Sequence, residues 1–211
     1  LEECGVLGPD FIAVHSVHLT EEDIRIFKKH QVSVAHCPIP NMLLASGSAP
    51  VPRLLEEGIT VSLACDGAAS NDAQDMLEVL KITALKHKLV SGNAAVVSAA
   101  EVLEMATLGG AKALLQEDRI GSLEAGKKAD MFIYNPLDCR SIPLHDPVSA
   151  LVYNSSRANI ETSIIGGKVI LDHGVIPGID EEAILCRAQE ISLDLVQQSG
   201  LGSIQWNQDM R

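Results

Sequence analysis

The chain has 211 residues, a formal charge of −12, 46% hydrophobic residues and only 3% aromatic ones. That content supports one large domain or two small ones with a proper core, and it argues against intrinsic disorder. A nucleic-acid partner is excluded on charge, because phosphate neutralisation needs clustered Lys and Arg; the dispersed acidity reads as ordinary solubility.

The chain opens with Leu-Glu-Glu-Cys-Gly, without Met, in what reads as the last turn of a helix ending at Gly5. A chain cut from a longer one is the expectation. Phe11–Val17 is an apolar run of strand length. Thr20–His30 follows as a helix, with Thr20 as N-cap, acids in the first turn and Lys-Lys-His in the last. Val32–Cys37 is a second strand, and after a long loop Val51–Glu57 forms a short helix that Gly58 ends. Thr60–Cys65 is a third strand with Asp66 at its end. Apolar strands alternating with helices predict a parallel sheet in an α/β fold. Asp75–Leu89 is a helix with Met76, Val79, Leu80, Thr83 and Leu85 on one face. Ser98–Leu115 starts with a capping box, Ser98 and Glu101, and turns Val102, Met105, Ala106 and Leu114 inward. From Ile120 the segments GSLEAGKKADMFIYNP, DPVSALVY and IETSIIGGKVILDHGVI read as short strands joined by Gly-containing turns, a separate β module. Asp180–Gln198 is an acidic helix, and the closing GLGSIQWNQDMR reads as irregular or frayed.

Cys4, Cys37, Cys65, Cys139 and Cys186 are odd in number and form no C-x-x-C. They read as reduced thiols of a cytoplasmic protein. No apolar run reaches the ~18 residues of a membrane span, and no signal peptide is visible.

In parallel βα folds, functional groups collect at the carboxyl ends of the strands. The three strands close on His15, His36 and Asp66, types that bind metals or move protons. Any one alone has a structural explanation, the histidines as hydrogen-bonders and Asp before Gly as a turn former. Three in succession point to a site.

AVHSVHLTEEDI, VAHCPIPNMLLASGSAPV, VSLACDGAASND, EVLEMATLGGAKAL and IGSLEAGKKADMFIYN stand in this order, followed by DPVSALVYNSS and IIGGKVI. Together, over roughly Gly5 to Ile176, they resemble the C-terminal half of the metal-dependent amidohydrolase superfamily. The nearest branch holds the 5′-methylthioadenosine/S-adenosylhomocysteine deaminases and the chlorotriazine hydrolases. The HCP and DGAASN blocks carry the resemblance; GSLEAGKKAD is shared by many amidohydrolases and separates them poorly.

The resemblance implies the C-terminal portion, the last three βα units, of a (β/α)8 TIM-type barrel of ~250 residues, plus the returning half of a small composite β-sandwich. Residues 1–118 would be the partial barrel (strands six to eight), 119–177 half of the sandwich, and 178–211 a C-terminal helix and tail. The implied activity is zinc-dependent hydrolytic deamination of purine nucleosides, of the methylthioadenosine or S-adenosylhomocysteine type, or of related amino-heterocycles. It implies Zn²⁺ or another divalent metal such as Fe²⁺, a small-molecule substrate, no membrane partner, and a homo-oligomer. A triazine- or guanine-type amidohydrolase and a catalytically empty α/β interaction module are the alternatives.

Residue by residue, Asp66 matches the aspartate that ligates the metal and handles the proton of the attacking water. His15 matches the catalytic histidine beside the developing oxyanion. Ser70 matches a substrate-binding position, and His18 a loop-structural or substrate-facing one. His36 reads as structural, Asn41 and Gly47 as parts of the loop over the site, and His30, His87, His145 and His173 receive no chemistry. Two departures stand out: Pro40 where the family usually has Ser, and Ala64-Cys65 where it usually has Gly-Thr. No H-x-H occurs among the seven histidines. Catalytic zinc takes three or more protein ligands, so the chain by itself is expected to be inactive. An unpaired side of the sheet would also favour association.

Overall fold

A computed structural model describes residues 1–200. The chain divides into a unit from Leu1 to Val175 and a second from Ile176 onward. In the first unit, strands β1 (Ile12–Val14), β2 (Ser33–His36) and β3 (Val61–Leu63) form a parallel sheet in the order β1-β2-β3. Helix α1 (Glu21–His30) crosses from β1 to β2, while α2 (Pro38–Leu43) and α3 (Val51–Glu56) lie between β2 and β3. The α1 boundaries follow from local chemistry. Thr20 and Asp23 make a reciprocal capping box, and Gln31 closes the helix in the left-handed conformation. Ile24 and Phe27 of α1 then bury against Val32, Val34, Val51, Leu54 and Val61.

The strands are shorter than their apolar runs. His15 and Ser16, inside the first run, adopt φ of 64° and 51°, so β1 ends at Val14 and the chain turns away from the sheet at the histidine.

After β3 come α4 (Ala68–Asn71), α5 (Met76–Ser91) and α6 (Ala99–Glu104), then a π turn at Met105–Gly109 and α7 (Gly110–Ala113). The expected inward face of α5 holds for Val79, Leu80 and Thr83, but Leu85 is 46% exposed. Lys86 and His87 are buried instead, because both find polar partners inside. Ser98 and Glu101 form the expected capping box. Leu114, expected inward, is 57% exposed, because α7 ends at Ala113 after the π turn has shifted the helical phase. That turn lets Gly109 press on β3. A Cβ there would stand 2.5 Å from the Val61 carbonyl oxygen.

The β module is present as the antiparallel sheet β4 (Met131–Tyr134), β5 (Ile160–Ile165) and β6 (Lys168–Asp172), in that order. One expected strand is a helix: DPVSALVY forms α8 (Pro147–Asn154). Asp146 accepts from the amides of Val148 and Ser149, and Pro147 sits in the first turn, so the cap overrides the β-branched content. Ala150, Leu151 and Val152 bury the inner face of α8. In the second unit, α9 (Glu181–Ser199) starts where expected; the tail beyond Gly200 lies outside the described residues. All five cysteines are free. Among the described residues no helix is long and apolar enough to cross a membrane.

Candidate active site

The sheet register sets Val14 beside Ala35 and His36 beside Leu63. The chain therefore leaves all three strands at one level. The amide of His15 donates to the Ala35 carbonyl and that of Ala64 to the His36 carbonyl, both at 3.0 Å. Just beyond, His15 and Asp66 take left-handed φ of 64° and 65°. For non-glycine residues this conformation costs on the order of 1–3 kcal/mol and persists only where the surroundings impose it. Here hydrogen bonds impose it.

Nδ1 of His15 lies 3.0 Å from Oδ1 of Asn41 on α2. An amide oxygen only accepts, so His15 donates to it from Nδ1, and the ring nitrogen left for other partners is Nε2. That nitrogen faces Oδ2 of Asp66 at 3.8 Å. The carboxylate is itself fixed: Oδ1 accepts from the Gly67 amide at 2.7 Å and Oδ2 from the Ser70 hydroxyl at 2.9 Å. Gln74 donates to the Asp66 carbonyl and Asn71 to that of Cys65, pinning the turn. The Gly67 amide, then the Ser70 hydroxyl, hold the Asp66 carboxyl below the usual carboxylate range, with His15 adding a smaller pull. Asp66 is thus an ionised, oriented carboxylate facing the imidazole of His15.

The other candidates fall around this pair. Ser70 spends its hydroxyl on Asp66 and on the Gly67 carbonyl. His18 is exposed, and its Cε1 edge would lie 3.8 Å from a Cβ placed on Gly47. The structure does not bring His36 to the His15–Asp66 gap. It is fully buried, with Nε2 3.0 Å from Nε2 of His87. Burial, then the charge of Lys86 on α5, push His87 down to about 4. Burial and then His87 push His36 to about 2. Both rings are neutral. The thiol of Cys37 is pushed up to about 11 by burial and then by Asp66, and burial raises Cys65 as well. Neither cysteine is a ready thiolate.

Sequence reasoning placed Asn41 in the loop over the site without making it a partner of His15, and it assigned His87 no chemistry. The one available signal for His87 was its spacing, four residues after Thr83 on the inward face of α5.

Catalytic zinc needs three or more protein ligands. Asp66 and His15 converge, yet among the described residues no group of three or more His, Cys, Asp or Glu could hold a metal ion. The residues present do not complete a zinc site.

In this α/β chain an aspartate and a histidine converge at the ends of parallel strands, and residues 1–170 match the Amidohydrolase family: the chain belongs to it. It is 43% identical over 196 residues to a 5′-deoxyadenosine deaminase of Methanosarcina acetivorans, covering 93% of this chain and 45% of that protein. It is 42% identical over 197 residues to a 5-methylthioadenosine/S-adenosylhomocysteine deaminase of Desulforudis audaxviator, covering 93% and 46%. Among solved structures, an adenosine deaminase from Xanthomonas campestris with bound zinc superposes with a TM-score of 0.90 at 35% identity, over 93% of this chain and 45% of that one. An atrazine chlorohydrolase from Arthrobacter aurescens complexed with zinc gives 0.85 at 30% identity, over 90% and 42%. The chain spans about half the length of the curated relatives it matches.

Proposed function

We propose that this chain carries part of the active site of a zinc-dependent hydrolytic deaminase of purine nucleosides, of the methylthioadenosine or S-adenosylhomocysteine type, or of related amino-heterocycles. The observation that carries the reading is the meeting of His15 and Asp66, in a chain of this family whose relatives bear deaminase names. Replacing C–NH₂ by C=O needs a water that loses a proton and a donor for the developing oxyanion. Asp66, kept ionised by two donors, is the proton acceptor. His15 commits its Nδ1 hydrogen to Asn41, so Nε2 is the nitrogen that donates to the oxyanion when it carries a proton. Asp66, once it has taken the water's proton, lies 3.8 Å from that nitrogen and passes the proton on. Ser70 orients Asp66 and meets the substrate from the same turn, and His18 stands at the exposed mouth.

Asp66 would be the one ligand from these residues to Zn²⁺, or to another divalent metal such as Fe²⁺, which would supply an activated water, and the remaining ligands would come from outside them. In this reading β1 to β3 are strands six to eight of a (β/α)8 barrel (residues 1–118). Residues 119–177 are half of a composite β-sandwich, and 178–211 are a C-terminal helix and tail. Two observations support it: among the described residues β1 and β3 each have one unpaired side, and β4 exposes Met131, Phe132 and Ile133. A small-molecule substrate, a cytoplasmic setting and a homo-oligomeric state belong to the same proposal. The likeness to the atrazine chlorohydrolase favours a triazine hydrolase as the second reading.

The test is product release. The isolated chain, with or without added zinc, is expected to release no ammonia from methylthioadenosine. Translated together with its upstream reading frame, it is expected to release ammonia from methylthioadenosine or S-adenosylhomocysteine. Turnover with stoichiometric zinc by the chain alone would overturn the division of ligands. Chloride from a chlorotriazine, without ammonia from either nucleoside, would establish the second reading instead.

A further inference from the structure

Helix α5 turns Thr83, Lys86 and His87 toward the interior while leaving Leu85 and Leu89 outside. A helix that buries its polar residues must satisfy them, and the partners it finds are specific. Thr83 donates to the Val79 carbonyl within the helix. Lys86 donates to the Gly47 carbonyl at 3.4 Å, and His87 meets His36 at 3.0 Å. His36 and Gly47 bracket the segment that contains α2, and α2 carries Asn41, the partner of His15. Two consecutive side chains of one helix thus hold both ends of the segment whose middle orients the candidate catalytic histidine.

The proton inventory of the pair is fixed by the same contacts. Both rings use Nε2, so one is the donor and the other the acceptor. Nδ1 of His36 is buried without a partner. A hydrogen there would be an orphaned buried donor, whereas a lone pair there is the lesser cost. The hydrogen of His36 therefore sits on Nε2 and points at His87, whose own hydrogen is on Nδ1.

We infer that His36 and His87 form a one-proton latch, His36 Nε2–H donating to His87 Nε2, which together with Lys86 on Gly47 makes His87 a positioning residue for His15 through Asn41. The geometry stands by itself; its catalytic meaning rests on the reading of His15 given above.

Long-range ¹H–¹⁵N spectra of the imidazoles in the chain test it, since protonated and lone-pair ring nitrogens resonate apart. At neutral pH, His36 is expected to show a protonated Nε2 and a bare Nδ1, and His87 the reverse. The opposite pattern, or a doubly protonated ring, would overturn the assignment. In His87→Gln, whose side-chain oxygen still accepts, His15 is expected to keep its protonated Nδ1. In His87→Leu that signature is expected to average between the two nitrogens, with the far-UV circular dichroism retained. An unchanged His15 in His87→Leu, or a lost signature in His87→Gln, would overturn the positioning role. If His87→Leu does not fold, the wild-type spectrum and His87→Gln decide. None of these readouts uses metal or turnover, so their failure is separate from a failure of the deaminase reading.

Discussion

Two neutral imidazoles in the core make this fold sensitive to acid well above the range where carboxylates titrate. His36 and His87 are held below their ordinary value of 6.5, chiefly by burial. Between about pH 6.5 and 5 the unfolded chain therefore binds more protons than the folded one at these two sites. Stability contributed by the neutral pair is complete above the unfolded value and is lost as the pH falls, by up to about 1.4 kcal/mol per pH unit for each ring. Urea midpoints are expected to drop from pH 7 to pH 5, and to drop less steeply in His87→Gln. A flat profile in wild type would contradict the burial of neutral rings. At the site, Asp66→Asn keeps the side-chain shape but removes the charge proposed above to accept a proton. In the complete enzyme it is expected to lower kcat/KM by about 10²- to 10⁴-fold. A variant within tenfold of wild type would remove Asp66 from the proton path.

Among the elements, α8 owes its existence to its cap. Asp146 satisfies the amides of Val148 and Ser149, and the helix it starts buries Ala150, Leu151 and Val152. Asp146→Ala is expected to cost about 1 kcal/mol, read as a shift of the urea midpoint at pH 7 with an unchanged slope. The π turn carries a different constraint. At Gly109 an added Cβ would meet backbone oxygens of Val61 at 2.5 Å and Glu104 at 3.2 Å, atoms that cannot rotate away. Gly109→Ala is expected to destabilise by about 1–3 kcal/mol through overpacking against β3. Equal or greater stability would mean that the π turn can relax into a regular helix.

The whole molecule presents unsatisfied surfaces. Both outer edges of the parallel sheet are unpaired among the described residues, and apolar side chains of β4 and β6, including Phe132 and Val169, are exposed. Open edges and apolar sheet faces template association, against which a net charge of −12 supplies only long-range repulsion. Sedimentation velocity of the isolated chain is expected to show concentration-dependent species larger than a monomer, more prominent when salt screens the charge. A single sharp monomer at all concentrations would contradict this.

What the sequence determined by itself was whatever local chemistry controls. Thr20 and Ser98 announced their helices because a capping box is complete within four residues. The strand ends near His36 and Asp66 were legible because those apolar runs stop within a residue or two of where the chain leaves the sheet, whereas β1 ends at Val14, inside its run. Residue motifs were also enough to suggest the family to which the chain belongs. Only the tertiary structure decided which polar groups meet. His36 and His87 are 51 residues apart in sequence, and Asn41 reaches His15 across 26, so no window of periodicity contains either pair. The same holds for Leu85, which a helical pattern places inside. The inward face of α5 admits Lys86 and His87 because partners on distant segments satisfy them, and a buried polar group is tolerated only when such a partner is there.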